Sequence, residues 1–273
     1  MEIIFIFLSI LGIWYFSVFL LYRNTWKKIP NATNKNNKDF VSVIVACRNE
    51  QNNIRNLIQQ IKTQNLDKNR FELIVVNDYS TDDTLSILER EAVIWNKLKV
   101  VCLSEGEGGK KTALEKGISF AKGDVILCTD ADCSVTESWI TTIIDYFTDE
   151  KIKMVSGPVL FENKKGIFQQ LQSLEFLSLI GSGAAAIGRG KSIFCNGANL
   201  AYRKSVFLEV NSLDNNIASG DDVFLMHEIK QKYANGIAFA KKKEAIVKTS
   251  SESNISGFIN QRKRWAAKSA SYK

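Results

Sequence analysis

Residues 125–135 read VILCTDADCSV, and this stretch decides how the rest of the chain is interpreted. Its first four residues are apolar, which predicts a strand of a parallel sheet that is covered on both faces. Asp130 and Asp132 follow at the carboxyl end of that strand, the edge where open α/β folds bind their ligands. Two acids this close favour a hard divalent cation, Mg²⁺ or Mn²⁺, bridging them to a diphosphate. An isolated D-x-D fits a solvated turn with helix-capping acids equally well, so the flanking sequence must discriminate.

Strands alternate with helices along the chain before this stretch. Apolar runs predict strands at residues 40–47, 71–76 and 98–103, and helical periodicity follows them at residues 52–62, 81–95 and 112–121. Such alternation is typical of a doubly wound α/β sheet of Rossmann type.

The chain after residue 135 continues the α/β pattern less regularly. Helices are predicted at residues 139–147, 166–188, 223–233 and 255–267, and strands at residues 154–161 and 194–202. The second of these strands carries Asn196 and Asn199. We expect both to line a substrate groove; the alternative is that they satisfy buried backbone groups.

The amino-terminal segment is expected to anchor the protein in a membrane. Residues 3–22 contain no charged side chain and are long enough to cross a bilayer as a helix. Arg23, Lys27 and Lys28 follow, and the positive-inside rule therefore places the rest of the chain in the cytoplasm. We predict a single-pass transmembrane anchor at residues 1–23, a polar linker at residues 24–39 and a catalytic domain at residues 40–273.

Composition and charge restrict the class of protein. The 273 residues are 45% hydrophobic and 24% charged, which is ordinary for a globular protein. The net charge of +7 comes without a nucleic-acid-binding module, so we expect phosphates or membrane headgroups as partners and no nucleic acid. The 5 cysteines form no C-x-x-C pair and there is 1 histidine, so a zinc site is not predicted and the thiols are expected to be free.

Three known phosphate-handling patterns fail in this sequence. The turn after the first strand, ACRNE, lacks the G-x-G-x-x-G of dinucleotide-binding folds. Before Lys110, Ser104 stands where a P-loop needs its first glycine, and Lys111 stands where it needs Ser or Thr. A phosphatase of the haloacid dehalogenase type is disfavoured because the D-x-D follows the fourth strand instead of the first, and Leu225 replaces the final acid of the late motif.

Five short motifs occur in order along the chain. They are Asn77-Asp78-Tyr79-Ser80, Gly109-Lys110-x-x-Ala113-Leu114, Asp130-Ala131-Asp132, Gly220-Asp221-Asp222 and Gln261-x-x-Arg264-Trp265. This set resembles the family 2 glycosyltransferases, inverting enzymes of the GT-A fold, and the last motif is similar to the Q-x-x-R-W element of membrane-bound polysaccharide synthases. The resemblance covers residues 40–265 and implies a GT-A fold, an α/β doubly wound mixed sheet, behind one amino-terminal transmembrane helix.

The resemblance implies that five residues contact the nucleotide-sugar donor. Ala46 and Glu50 resemble first-strand positions at the edge of the nucleotide pocket. Asp78 resembles the acid that hydrogen-bonds uracil, Lys110 the lysine near the nucleotide, and Asp130 the acid that contacts the nucleoside.

The resemblance also implies the metal, the base and the acceptor contacts. Asp132 would ligate Mg²⁺ or Mn²⁺ on the diphosphate, and Asp222 would be the general base, with Asp221 beside it. The residues expected to close over the diphosphate and the acceptor sugar are Gln261, Arg264 and Trp265. Trp265 equally fits an anchor at the membrane interface.

These features predict a membrane-anchored, cytoplasm-facing, inverting glycosyltransferase that moves a sugar from a UDP-sugar to a polysaccharide or lipid-linked glycan. Two alternatives stay open: transfer from a GDP- or UDP-sugar to polyprenyl phosphate, and a non-catalytic membrane scaffold of the same fold. Related synthases continue into carboxyl-terminal membrane helices, so we expect either a fragment or a short, non-processive enzyme.

Overall fold

A seven-stranded sheet forms the centre of the computed structural model, which describes residues 1–32, 37–162, 165–213 and 222–269. The strands, in chain order, are β1 (Val41–Cys47), β2 (Phe71–Asn77), β3 (Leu98–Cys102), β4 (Val125–Asp130), β5 (Met154–Ser156), β6 (Val159–Phe161), β7 (Leu200–Arg203), β8 (Ile237–Phe239) and β9 (Val247–Thr249). The large sheet has the order β3-β2-β1-β4-β7-β5-β8, and β6 pairs with β9 in a separate two-stranded sheet.

The first four strands are parallel, and three of them form the interior of the molecule. β1, β2 and β4 are buried along nearly their whole length, as expected for apolar strands covered by helices on both faces. β7 runs antiparallel to both of its neighbours, β4 and β5, so the sheet is mixed. The register places Ala46 beside Asp130 and Cys47 beside Asn77, which aligns the carboxyl ends of β1, β2 and β4 at one edge.

Nine α-helices are described, and most follow the predicted periodicity. They are α1 (Glu2–Lys28), α2 (Ile54–Lys62), α3 (Thr84–Ile94), α4 (Lys110–Phe120), α5 (Trp139–Ile144), α6 (Ile167–Ile187), α7 (Lys204–Leu213), α8 (Asp222–Lys232) and α9 (Ile255–Ser269). α4 packs very closely on β1, because a Cβ atom at Gly117 would lie 2.7 Å from a methyl group of Ile44. The motif that begins at Gly109 is therefore fixed against the central strand.

The prediction of one strand over residues 154–161 is wrong. β5 ends at Ser156 and β6 begins at Val159, so the two pieces belong to different sheets. Pro158 cannot donate a ladder hydrogen bond, which explains the break. Gly157 lies against a side chain, because a Cβ atom there would lie 2.2 Å from Nδ2 of Asn199. Likewise, the strand predicted over residues 194–202 starts only at Leu200.

α1 is the one helix among the described residues that is long and apolar enough to cross a membrane. None of its residues is buried, and it continues to Lys28, into the segment that the sequence predicts as a polar linker. A stripe of half-buried residues, Val18, Tyr22 and Thr25, ends at the buried Ile29. This stripe faces α6, because a Cβ atom at Gly188 would touch both Ile29 and Thr25.

Candidate active site

An ion pair joins the start of α4 to the end of β4. Gly109 has a φ of 92° and turns the chain into α4, so that Lys110 is its first residue. The Lys110 Nζ lies 2.5 Å from Oδ1 of Asp130. Burial opposes the charge on this ammonium group, but the carboxylates of Asp130 and Asp222 raise the pKa of Lys110 above its ordinary value. A protonated amine is therefore present at the carboxyl edge of the sheet at neutral pH.

Asp78 follows β2 at the same edge and has one oxygen without a partner. The residue is 6% exposed, and its Oδ2 accepts a hydrogen bond from the backbone N–H of Gly109 at 3.1 Å. Its Oδ1 is buried without a hydrogen-bond partner, as is Oδ1 of the preceding Asn77. A buried acceptor left unpaired is costly, so this position suits an N–H donor supplied by a ligand.

Glu50, Asp130 and Asp132 lie at or just after the ends of β1 and β4, without converging on a single point. Burial raises the pKa of Glu50, and the nearby carboxylates of Asp132 and Asp130 raise it further. Asp132 is exposed in the turn after β4, and its Oδ2 accepts a hydrogen bond from the Thr249 hydroxyl at 2.9 Å. The three carboxylates thus create a negative potential beside the Lys110 ammonium group.

Asp222 approaches the same edge from the other half of the chain. It is the first residue of α8, and its carboxylate lies directly over Gly197, where a Cβ atom would be 1.9 Å from Oδ2. The Cys195 thiol donates to the backbone carbonyl of Asp222 at 3.2 Å. Gly197 comes just before β7, and Leu200 of β7 pairs with Cys128 near the end of β4, so Asp222 lies toward the carboxyl end of β4. Asp221 lies outside the described residues.

The loops after β1 and β2 are hydrogen-bonded to each other. Asn49 and Tyr79 adopt positive φ angles of 57° and 50°, a conformation that costs energy for non-glycine residues. The Asn49 side chain accepts from the Thr81 N–H at 2.8 Å, and the Thr84 hydroxyl accepts from the Glu50 N–H at 2.7 Å. These bonds fix the loops that carry Glu50 after β1 and Asp78 after β2.

The carboxyl-terminal motif lies on α9, which packs against α6. Arg262 pairs with Glu175 of α6, and its guanidinium group stacks 4.1 Å from the ring centroid of Trp265. Trp265 also contacts Phe176 of α6, with ring centroids 5.8 Å apart. Gln261 accepts from Arg262, and the Arg264 side chain is exposed. The described contacts of this motif are therefore with α6, and they do not bring it to the acids at the sheet edge.

The expectation that Asn199 lines a substrate groove is wrong. Its side chain is fully buried, accepts from the indole N–H of Trp139 at 3.0 Å, and donates to the carbonyls of Pro158 and Ala245. It therefore satisfies buried backbone groups, the alternative that the sequence left open. Asn196 accepts from the backbone N–H of Ala198 and caps a short 3₁₀ helix.

Two contributors to the site, Gly197 and Thr249, were not identified from the sequence. Both act by contact with an acid that is far away in sequence, Asp222 and Asp132 respectively. The only sequence signal was indirect: Gly197 lies in an otherwise apolar run, where a glycine indicates close approach of another group.

The residues at the edge fit a divalent cation that is shared with a substrate. Among the described residues, no group of three or more His, Cys, Asp or Glu side chains converges as a metal site. Asp132 is an exposed carboxylate beside two further acids, whose mutual repulsion a cation would relieve. Mg²⁺ and Mn²⁺ bind through one or two carboxylates, with phosphates and water completing the coordination, so Asp132 and a diphosphate would suffice.

The cysteines near this edge are protonated. The described thiols are free, and burial is the largest cause that raises the pKa of Cys47 and of Cys128 to about 12. Only the thiolate is a good nucleophile or metal ligand, so these cysteines serve the packing of the strands.

Comparison with known proteins is consistent with this geometry. The chain is 28% identical over 218 residues to the poly-beta-1,6-N-acetyl-D-glucosamine synthase of Staphylococcus aureus, an alignment that covers 78% of the chain and 51% of the relative. The chain thus spans about half the length of the curated relatives it matches first.

Two solved structures share the fold. The mannosyltransferase PcManGT from Pyrobaculum calidifontis, in complex with GDP-Man and Mn²⁺, superposes with a TM-score of 0.70 at 20% identity, covering 90% of this chain and 68% of that one. S. aureus TarS 1–349 in complex with UDP-GlcNAc superposes with a TM-score of 0.57 at 21% identity, covering 79% of this chain and 59% of that one. These likenesses confirm the GT-A fold expected from the sequence.

The sequence profile described as Glycosyl transferase family 2 matches residues 42–210, from the second residue of β1 to α7. The matched region includes the Lys110–Asp130 pair, Asp78 and Asp132. The chain therefore belongs to glycosyl transferase family 2.

Proposed function

We propose that this protein transfers a sugar from a UDP-sugar to a glycan acceptor, with inversion at the anomeric carbon. The observation that supports this most directly is the meeting of Lys110, Asp130 and Asp222 at one sheet edge, next to the unpartnered oxygen of Asp78. Lys110 supplies a positive charge for the diphosphate, Asp222 a candidate general base, and Asp78 a buried hydrogen-bond acceptor for the nucleobase. Donor binding and displacement of the diphosphate require groups of these three kinds.

The donor would bind across the carboxyl ends of β1, β2 and β4. Oδ1 of Asp78 would accept a hydrogen bond from an N–H of the nucleobase. Asp130 would contact the nucleoside, with Ala46 and Glu50 beside it. The Lys110 ammonium group would leave Asp130 to meet the diphosphate, where negative charge develops as the sugar departs. Asp132 would hold Mg²⁺ or Mn²⁺, which supplies further stabilisation of that leaving group.

Asp222 would accept the proton of the attacking hydroxyl group. Its carboxylate is fixed over Gly197 at the first residue of α8. Attack from one face while the diphosphate leaves from the other is a single displacement, and a single displacement inverts the anomeric centre. Gln261, Arg264 and Trp265 would reach the acceptor only through a movement of α9.

The relatives support the choice of donor and acceptor. The S. aureus relative is a synthase of a poly-N-acetylglucosamine, and the TarS complex contains UDP-GlcNAc. We therefore place UDP-N-acetylglucosamine first among donors and a polysaccharide or lipid-linked glycan first among acceptors. The GDP-Man in the PcManGT complex favours a second candidate, transfer from a GDP-sugar, with polyprenyl phosphate as a possible acceptor class.

We also propose that α1 crosses the membrane and that the catalytic domain faces the cytoplasm. Residues 3–22 of the helix carry no charge, and Lys27 and Lys28 occupy its last turn. Basic residues after a single span favour the cytoplasmic side.

Calorimetric titration of the full-length chain in detergent with UDP, GDP and CDP tests the donor site. Mn²⁺-dependent binding of UDP is expected, and Asp132→Ala should abolish it, whereas Asp149→Ala, at an exposed acid outside the site, should not. Selective binding of GDP would instead favour the second candidate. Metal-independent binding that Asp132→Ala leaves unchanged would rule out the metal assignment.

The rate of sugar transfer from the bound donor tests the assignment of Asp222 as the general base. Asp222→Asn should leave nucleotide affinity unchanged but lower the transfer rate by roughly 10²–10⁴-fold, the usual contribution of a general base. Glu228→Gln, on the same helix, is the matched control and should keep the wild-type rate. A wild-type rate in Asp222→Asn would contradict the assignment.

A further inference from the structure

A groove of about 440 Å³ lies beside the end of α1, where β8 and the end of α6 meet it. Its apolar walls include Ile29, Ile187, Ile237 and Phe239, and Arg189 is also among the residues that line it. We call this cavity the α1–β8 groove. Its volume is within the range of roughly 300–1,000 Å³ that is typical of small-molecule sites.

The groove would lie at the depth of the lipid headgroups if α1 crosses the bilayer as proposed above. α1 has 27 residues, so at about 1.5 Å per residue it is about 40 Å long. A bilayer with its headgroups is about 40–45 Å thick, so the end of the helix at Lys28 reaches the headgroup region. Ile29, which follows directly, is part of the wall of the groove.

Basic side chains surround this part of the molecule. Lys27 and Lys28 lie in the last turn of α1, and the Lys241 Nζ donates to the backbone carbonyl of Trp26 at 2.9 Å. Trp26 itself packs against Phe239 with ring centroids 5.9 Å apart, an aromatic contact suited to the interface. Two exposed acids, Asp149 and Glu150, come just before Ile152 of the groove wall. Lys151 and Lys153, which follow them in the sequence, balance their charge.

We propose that the α1–β8 groove binds one anionic phospholipid of the cytoplasmic leaflet. The phosphate would meet Arg189 and the lysines at the end of α1, and the glycerol and upper acyl chain would lie against Ile187 and Ile237. The charge of the groove complements an anionic headgroup, and its apolar walls complement the chain below it. The groove is distinct from the sugar-transfer site. Asp222 begins α8, and from there the chain reaches the groove only at Asn235, after the 11 residues of that helix.

Native mass spectrometry of the full-length chain in detergent tests this proposal without any sugar transfer. The chain would be titrated with phosphatidylglycerol and with phosphatidylcholine of identical acyl chains. One phosphatidylglycerol per chain should be retained, with an affinity about tenfold higher than that of phosphatidylcholine. Arg189→Gln should abolish this preference, and Ala238→Trp, which fills the groove, should abolish retention of both lipids.

Arg90→Gln provides the matched control, since Arg90 is an exposed arginine on α3. This variant should retain phosphatidylglycerol as the wild type does, and unchanged thermal unfolding would show that all three variants are folded. Equal retention of the two lipids by the wild type, or undiminished retention by Arg189→Gln, would overturn the proposal. Stronger retention of a polyprenyl phosphate than of phosphatidylglycerol would also overturn it, because the groove would then belong to a carrier lipid.

Discussion

At the scale of single residues, the absence of a side chain at Gly197 leaves the space in which the Asp222 carboxylate lies. The Asp222 carboxylate occupies the space that any larger side chain at this position would fill. We expect Gly197→Ala to lower the transfer rate by roughly 10²-fold or more, because the carboxylate must move from its position relative to the acceptor. Single-turnover measurements at saturating donor would report this loss.

Gly181→Ala is the control for that substitution. A Cβ atom at Gly181 would meet nothing within 4 Å, and the residue lies within α6. We expect the transfer rate to stay at the wild-type level and the free energy of unfolding to rise by about 0.5–1 kcal/mol, because alanine favours the helix. If Gly197→Ala were as active as Gly181→Ala, Asp222 would not be positioned by this contact.

Glu50 predicts a pH dependence of stability. Its pKa is raised above the ordinary value of 4.5, so ionising it in the folded protein costs free energy, and stability falls as the pH rises from 4.5 through the raised pKa. In the absence of divalent cations, Glu50→Gln should therefore have a higher Tm than the wild type at pH 7, and the difference should vanish near pH 4. Glu137→Gln, at an exposed glutamate, should show no such difference. A Tm difference that is independent of pH would contradict this account.

At the scale of elements, Arg262 contributes to the attachment of α9 to α6, beside the ring contact of Trp265 with Phe176. Arg262 pairs with Glu175 and stacks on Phe258 and Trp265 at 4.5 and 4.1 Å from the ring centroids. Arg262→Ala should weaken the docking of α9 by roughly 1–2 kcal/mol. Hydrogen exchange would then accelerate over residues 255–266 and remain unchanged in β1–β4.

The exposed neighbour of this arginine provides the comparison. Lys263→Ala removes an exposed positive charge from the same helix and should leave the exchange rates of α9 unchanged. Equal acceleration in the two variants would show that net charge, and not the Arg262 contacts, holds α9 in place.

The parallel half of the sheet could be predicted from the sequence because local signals determine it. Apolar runs followed by polar residues identified β1, β2 and β4, and the carboxyl ends of parallel strands necessarily share an edge, so Asp78 and Asp130 could be placed together. The break at Pro158 was also signalled locally, by a residue that a central strand excludes.

The rest of the site could not be predicted because long-range pairing determines it. Nothing near Thr249 in sequence indicates that its hydroxyl group meets Asp132, 117 residues earlier. Asn199 lies in an apolar run, which fits either a residue that lines a groove or one that is buried in the core. Its three hydrogen bonds to buried groups show that it is buried in the core. The same holds for α9, whose motif suggests a catalytic role while its side chains contact α6.

At the scale of the whole molecule, α1 and α6 pack together and both expose apolar side chains. Beyond their contact at Gly188, α6 exposes a stripe of leucines that includes Leu171, Leu174 and Leu177, which are 60%, 65% and 52% exposed. Because monomeric soluble proteins rarely expose such stripes, we expect this face to lie in the bilayer interface.

Fluorescent labelling tests the orientation of this face. A polarity-sensitive dye on Leu174→Cys, in a Cys102→Ser background, should shift to the blue and be quenched by brominated lipids after reconstitution. The same dye on Ile94→Cys, at a residue of α3 that is 67% exposed, should show neither effect. Identical spectra for the two positions would contradict membrane contact by α6.

The antiparallel strand β7 has a consequence for the order in which a ribosome produces a working enzyme. β4 supplies Asp130, but its second neighbour, β7, begins only at Leu200, directly after the turn that contains Gly197, and α8 with Asp222 is translated later still. A nascent chain that ends before residue 195 would thus already display α1 and the nucleotide half of the site, without a base. Under the proposed function, synthesis from the amino terminus would therefore produce the membrane helix and the donor-binding residues before the general base.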